Sequence, residues 1–108
     1  MKILLDECVT KKAKPLFSEH EVYTVAEMGF RGLKNGKLLT KMECSGFDIL
    51  ITIDKNIDFQ QNIGNRSLTI VIFDVLKSNL RYIDELIPMF KKQISTFEKG
   101  KTYRMYKL

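Results

Sequence analysis

The residues best placed to do chemistry in this sequence are acids that directly follow apolar segments. They are Asp6 and Glu7 after residues 2–5, Asp54 after residues 47–53, and Asp74 after residues 68–73. A group of carboxylate oxygens without histidine or thiolate suits Mg²⁺ or Mn²⁺. A metal held by such acids can activate water beside a phosphate. The pattern therefore predicts a metal-dependent site centred on Asp6 and Asp54.

Each acid also has an ordinary structural interpretation. Asp6 and Asp54 can cap the helices that follow them, and Asp74 can close a turn. Taken together, Asp6 and Asp54 favour a shared site, because both follow strands of one predicted sheet. If residues 55–63 form a short helix, Asp58 lies one turn from Asp54 and faces the same way.

The elements that must position these acids alternate between strands and helices. Strands are predicted at 2–5, 22–25, 47–53, 68–73 and 103–106. Helices are predicted at 10–18, at 36–45 with Asn35 as N-cap, at 55–63, and from Ser78 or Asn79 to Gly100 with a kink or break at Pro88. Continuous apolar strands alternating with helices indicate the α/β class, with a mainly parallel sheet and helices on both faces. The carboxyl ends of its strands then meet at one edge, about 4.8 Å apart, where ligands bind in such folds.

Length and composition limit the classes of protein to which this sequence can belong. The 108 residues are 44% hydrophobic, which predicts a single globular domain over residues 1–108. The longest apolar runs are only a few residues, so no membrane span is expected. Asp6 interrupts the place where a secretory signal would continue, and the expected location is the cytoplasm. Cys8 and Cys44 are expected to be reduced and structural, and a single histidine, His20, excludes a histidine-based metal cage.

The net charge of +5 arises entirely in the second half of the chain. The last 18 residues hold six basic residues and one acid, which suits either a polyanion or a solvated helix face. Four basic residues flank the proposed sheet edge and are predicted to hold phosphates: Lys55, Arg31, Lys34 and Lys37. Phe30 and Phe59 could stack on unpaired bases, although such aromatics are more often core or loop anchors.

Three segments in matching order carry a resemblance to a known family. The opening MKILLDEC, the stretch EVYTVAEMGFRGLKNGKLL and the block FDILITIDKNIDFQQNI resemble the short bacterial PIN-like (PilT N-terminus-like) proteins. This resemblance implies a three-layer α/β/α sandwich and a magnesium-dependent endoribonuclease that leaves a 5′-phosphate and a 3′-hydroxyl. It further implies a toxin with a cognate antitoxin, a homodimer, and Asp6 and Asp54 as metal ligands.

The sequence departs from that family at two positions. Many relatives carry acids where this chain has Asn35 and Asn56, which can still offer a carbonyl oxygen to a metal. Asp58 or Glu7 would then supply the missing charge. One alternative is a PIN-like protein that acts by binding RNA or a partner. Another is a receiver-like phosphoacceptor domain built on Asp6, Glu7 and Asp54, which lacks the required hydroxyl residue after strand four.

Overall fold

Five strands alternate with helices along the chain. The structure, a computed structural model, describes residues 1–55 and 63–107, with the backbone alone at residue 35. The strands are β1 (Lys2–Leu5), β2 (Glu21–Thr24), β3 (Ile49–Thr52), β4 (Thr69–Phe73) and β5 (Thr102–Met105). The α-helices are α1 (Val25–Met28), α2 (Asn35–Cys44) and α3 (Leu80–Gln93), and two 3-10 helices span Lys11–Phe17 and Ile94–Thr96.

The strands form one five-stranded sheet in which every pair is parallel. Its order is β2-β1-β3-β4-β5, so the first strand lies between the second and the third. Ile3 is paired with Val22 on one side and with Ile49 on the other. The α/β class and the parallel sheet predicted from the apolar strands are therefore confirmed, and the sheet is parallel throughout rather than mainly parallel.

Both faces of the sheet are covered, which explains why the strands are apolar without alternation. Every residue of β3 and β4 is buried. On one face, alternate strand residues pack against the first 3-10 helix and α3; on the other face, they pack against α1, α2 and residues 63–68. Strands buried on two faces need apolar side chains at consecutive positions. The layers are helix, sheet and helix, as expected.

The crossover that contains α3 lies on an unexpected face. The connections from β1 to β2 and from β4 to β5 run in opposite directions across the sheet, yet their helices pack in the same core cluster. Two parallel crossovers that run in opposite directions over one face have opposite hands. At least one connection therefore departs from the uniform right-handedness expected of parallel crossovers.

Helix α3 confirms the strongest periodic pattern in the sequence, but not its predicted break. Asn79 caps the helix, since its Oδ1 accepts a hydrogen bond from the backbone N–H of Tyr82 at 3.1 Å. Pro88 lies within one continuous helix, so the predicted split is wrong. The proline lies on the exposed side, while Phe90 packs against Phe17 with ring centroids 5.3 Å apart. Packing of the apolar face holds the helix across the missing hydrogen bond. The helix ends at Gln93 rather than at Gly100.

Several predicted boundaries are wrong for local reasons. The segment predicted as an α-helix over 10–18 is a 3-10 helix over Lys11–Phe17. The second strand ends at Thr24, which begins α1 through a capping box with Glu27. Lys34, not Asn35, occupies the N-cap of α2, and Asn35 is the first helical residue. The predicted helix over 55–63 lies mostly outside the described residues, as do Asn56, Asp58 and Phe59.

None of the helices within the described ranges is long and apolar enough to span a membrane.

Phe30 is buried in the core and packs near Phe47, with ring centroids 6.4 Å apart. It is therefore a core anchor, and the stacking interpretation of this residue is wrong.

Candidate active site

The ends of β1 and β3 place the two predicted metal ligands beside each other at the carboxyl edge of the sheet. The two strands are neighbours, with Leu5 paired to Ile51. Asp6 comes directly after β1, and Asp54 follows the end of β3 by two residues. The connections that leave these strands run in opposite directions and over opposite faces. Such a reversal opens a crevice at the carboxyl edge, where ligands of doubly wound folds bind.

The Thr52 hydroxyl ties the two acids together. Thr52 is fully buried, and its Oγ1 donates a hydrogen bond to Asp6 Oδ2 at 2.8 Å. The same oxygen accepts a hydrogen bond from the backbone N–H of Asp54 at 3.2 Å. The backbone N–H of Glu7 donates to Asp6 Oδ1 at 2.8 Å. The Asp6 carboxylate is therefore held at both oxygens. This role of Thr52 was not predicted. The signal for it in the sequence is weak, because it consists of the Thr-x-Asp spacing of Thr52 and Asp54.

Cys8 lies against the same hydroxyl. Its Sγ is 3.3 Å from Thr52 Oγ1 and 3.7 Å from Asp6 Oδ2. Burial of this sulfur raises the pKa of the Cys8 thiol, so the neutral form is favoured. Cys8 and Cys44 are both free cysteines, as expected, but neither is a buried core residue: both residues are exposed overall, and the Cys8 sulfur is partly buried against Thr52.

The Glu7 side chain holds a loop in place, and the hydrogen bond to Asp6 comes from the Glu7 backbone N–H. Its Oε1 accepts a hydrogen bond from the backbone N–H of Gly32 at 2.9 Å. Gly32 has a φ of +83°, a conformation that favours glycine. The anchored loop carries Arg31, which lines a cleft of about 460 Å³ together with Asp6 and Glu7. One predicted phosphate-binding residue, Arg31, thus lies in the same cleft as Asp6 and Glu7.

The other predicted phosphate-binding residues are more dispersed. Lys34 and Lys37 are exposed at the start of α2, and Lys37 lines a separate shallow pocket beside Arg66. The Lys55 Nζ lies 2.9 Å from Asp74 Oδ1, so this lysine forms an ion pair at the carboxyl edge. Of the four predicted phosphate-binding residues, Arg31 is consequently the one that lines the same cleft as Asp6.

Asp74 is the centre of an ion-pair group that spans three strand ends. Lys55 follows β3, Asp74 follows β4, and Arg104 lies on β5, where its Nε donates to Asp74 Oδ2 at 2.8 Å. The hydrogen bonds from Lys55 and then from Arg104 lower the pKa of the Asp74 carboxyl. Asp74 therefore fixes the residue that follows Asp54, instead of simply closing a turn.

Asp74→Asn should destabilise the fold at neutral pH, and its difference from the wild type should vanish in acid. A carboxyl whose folded pKa is depressed stabilises the protein above its ordinary pKa of 3.8, and that contribution is lost as pH falls through the lower folded pKa. Urea unfolding at pH 7 and at a series of pH values below 4 measures the effect. Asp84→Asn, at an exposed position of α3, is the control. The ion-pair role of Asp74 would be contradicted if the difference in free energy of unfolding between the wild type and Asp74→Asn stayed constant down to pH 2.

The donor set at the crevice can be compared with the needs of a divalent metal. Within residues 1–55 and 63–107, no group of three or more His, Cys, Asp or Glu side chains could by itself hold a metal ion. Mg²⁺ usually retains several waters and needs only one or two carboxylates plus a substrate phosphate. Asp6 Oδ1 accepts one hydrogen bond, from the Glu7 N–H, and keeps a further lone pair, whereas Oδ2 accepts from Thr52 and, at 3.7 Å, from Cys8 Sγ. Asp6 therefore keeps acceptor capacity for a metal ion that retains most of its waters, whereas the described residues form no all-protein cage.

The fold and crevice define a doubly wound α/β protein with an acidic site at the point where its strand order reverses. The chain matches no protein-family model, and no curated protein or solved structure matches it.

Proposed function

We propose that this protein is a Mg²⁺- or Mn²⁺-dependent endoribonuclease of the PIN-like, toxin type. The observation that supports the proposal is the placement of Asp6 and Asp54 at neighbouring strand ends, tied together by the buried Thr52 hydroxyl. Paired carboxylates at such a crevice suit phosphodiester hydrolysis more than reactions that need a nucleophilic side chain. The sequence resemblance adds RNA as the substrate and a homodimer and a cognate antitoxin as partners, and the expected location is the cytoplasm.

In this proposal, some residues bind the metal or the phosphate through their charge, and others hold these residues in position. Asp6 and Asp54 hold the metal, which when bound supplies activation of water and neutralisation of phosphate charge. Arg31 contacts a phosphate of the substrate in the cleft, and Glu7 holds the Arg31 loop through Gly32. By the family resemblance, Asn35 and Asn56 offer further metal ligands and Asp58 supplies a further carboxylate.

Metal binding tests this proposal without knowledge of the RNA sequence. A metal that binds only the native state stabilises it by about 1.4 kcal/mol at ten times its Kd. For a chain of this size, that corresponds to a rise in Tm of about 5–10 °C. We expect Mn²⁺ and Mg²⁺ to raise the Tm of the wild type and of Asp84→Asn, but not of Asp54→Asn. If the Tm of the wild type is unchanged at 10 mM metal, the nuclease proposal fails in favour of metal-free binding of RNA or a partner.

The receiver-like alternative shares the strand order and the acids with this proposal. It also needs a serine or threonine after the fourth strand, where this chain has Asp74. That carboxylate forms ion pairs with Lys55 and Arg104, so the position is neither a hydroxyl nor open to a phosphoryl group. These contacts weigh against phosphoryl transfer to Asp54.

A further inference from the structure

A second pocket opens at the same edge of the sheet, beyond the ends of β4 and β5. It has a volume of about 650 Å³, within the range of small-molecule sites. The pocket is lined by residues after β4, by the first turns of α3, and by the residues that end and follow β5. None of its lining residues belongs to the Asp6 cleft, so it is a separate site.

Aromatic and aliphatic side chains form one part of this pocket. Tyr82 and Tyr106 line it together with Leu76 and Leu86. Leu86 is buried and forms a floor, whereas Tyr106 is 50% exposed and Leu76 is 84% exposed. Large apolar side chains left open to water at the mouth of a concave site are typical of a surface that covers a ligand.

Basic side chains form the other part. Arg104 and Lys107 line the pocket and pair with Asp74 and Glu85, respectively. Each acid has a second basic partner, Lys55 on Asp74 and Arg81 on Glu85. Four basic side chains thus share two carboxylates; Arg104 and Lys107 balance Asp74 and Glu85 within the pocket lining, and Lys55 and Arg81 lie outside it. Arg104 uses its Nε and Nη2 on Asp74. A guanidinium has five N–H donors and an ammonium has three, so Arg104 and Lys107 retain donors for a further acceptor.

We propose that this pocket binds one unpaired nucleotide of an RNA strand. Tyr106 and Tyr82 would stack on the base, and Arg104 and Lys107 would contact its phosphate. Aromatic side chains beside a basic groove are the combination that single-stranded nucleic acids require. The choice of RNA rests on the proposed function. The end of β5 lies three strand spacings, about 14 Å, from the end of β1. A single RNA strand can therefore reach both this pocket and the Asp6 cleft.

Tyrosine fluorescence offers a direct test, because the chain has no tryptophan and two of its four tyrosines line the pocket. Single-stranded hexamers of adenosine and of uridine are titrated in EDTA, which removes any dependence on metal or cleavage. We expect saturable quenching by the hexamers. Tyr106→Leu should weaken binding about tenfold or more, since stacking on one base contributes about 1–3 kcal/mol. Arg104→Gln should reduce the slope of log affinity against log salt by about 0.7.

Lys101→Gln is the matched control for charge. Lys101 immediately precedes β5, at the opposite end of the strand from the pocket, and it pairs with Glu98. This variant should bind the hexamers within twofold of the wild type. Thermal melting of Tyr106→Leu and Arg104→Gln checks that both variants are folded.

The possible results separate this inference from the proposed nuclease activity. Hexamer binding that is weakened by Tyr106→Leu but unchanged in Asp54→Asn supports the pocket, whether or not the protein cleaves RNA. The inference is overturned if the wild type shows no quenching, or if Tyr106→Leu and Lys101→Gln bind equally well. It is also overturned as an RNA site if adenosine or uridine monophosphate binds as tightly as the hexamers, because the occupant is then a free nucleotide.

Discussion

Asp54→Asn is expected to lower metal-dependent RNA cleavage by at least about 100-fold. The substitution keeps the size of the side chain and leaves the backbone N–H that donates to Thr52 in place. It removes one of the two charges proposed to hold the metal. Stabilisation by a bound metal amounts to several kcal/mol, and each 1.36 kcal/mol is a tenfold change in rate. Asp6→Asn should have a similar effect, with an added loss of stability because an amide cannot reproduce both hydrogen bonds of the Asp6 carboxylate.

The measurement is cleavage of a labelled single-stranded RNA pool with Mn²⁺ or Mg²⁺, and with EDTA as the blank. Asp84→Asn removes one exposed carboxylate from α3 and should leave the rate unchanged. Raising the metal concentration should recover part of the activity of Asp54→Asn if affinity for the metal is what was lost. Equal rates for the wild type, Asp6→Asn and Asp54→Asn would rule out a site built on these acids.

Thr52→Val should weaken metal binding by about 10- to 100-fold while both acids remain in the sequence. Valine has the shape of threonine but cannot donate to Asp6 Oδ2 or accept from the Asp54 N–H. Groups that orient metal ligands typically contribute this much to affinity. The lost hydrogen bond to a charged group should also cost about 1–3 kcal/mol of stability. Isothermal titration with Mn²⁺ measures the affinity, and urea unfolding without metal measures the stability.

Thr69→Val separates positioning from general loss of stability. Thr69 is also a buried threonine, on the neighbouring strand β4, and its Oγ1 donates to the backbone carbonyl of Glu98 at 3.0 Å. It lies at the amino end of the sheet, away from Asp6. We expect Thr69→Val to lose about 1 kcal/mol of stability and to bind Mn²⁺ like the wild type. If both threonine variants bind metal equally well, Thr52 is a structural residue only.

Burial on two faces explains how much of the fold could be predicted. Ile3 to Leu5 and Ile70 to Phe73 are continuous apolar runs, and such runs identify strands inside a parallel sheet without knowledge of their partners. Because the parallel strands share one carboxyl edge, the same pattern predicted that Asp6 and Asp54 would follow neighbouring strand ends. The predicted bounds of β1 match the observed ones, and those of the other strands differ by at most two residues, in part because flanking residues such as Phe47 are buried without being paired.

Features that depend on pairing register could not be predicted. The Thr52 hydroxyl reaches Asp6 only because β1 and β3 are aligned with Leu5 opposite Ile51. Glu7 contacts Gly32 across 25 positions of sequence, and no periodic pattern encodes that contact. The capping box of Thr24 and Glu27 was present in the sequence, but α1 has only four residues and its apolar pattern is too short to detect.

The basic end of the chain illustrates a similar limit. Composition left open whether its lysines face a polyanion or only solvent. In the structure, Lys91, Lys99 and Lys101 form ion pairs with Glu19, Asp48 and Glu98, respectively. Exposed pairs of this kind contribute little stability, but they neutralise much of the charge that composition alone assigns to this end. Arg104 and Lys107 are likewise paired, with Asp74 and Glu85, and only the tertiary structure reveals these partners.

During synthesis, the interior strand β1 leaves the ribosome well before β3, the second of its two neighbours, exists. Ile49, which begins β3, follows Leu5 by 44 residues. At about 5–20 residues per second, one edge of this apolar strand stays unpaired for roughly 2–9 s. No antiparallel hairpin fills that edge, because every described strand pair is parallel. An interior strand of the sheet is therefore made before one of its two neighbours, and its unpaired apolar edge is exposed to aggregation until β3 emerges.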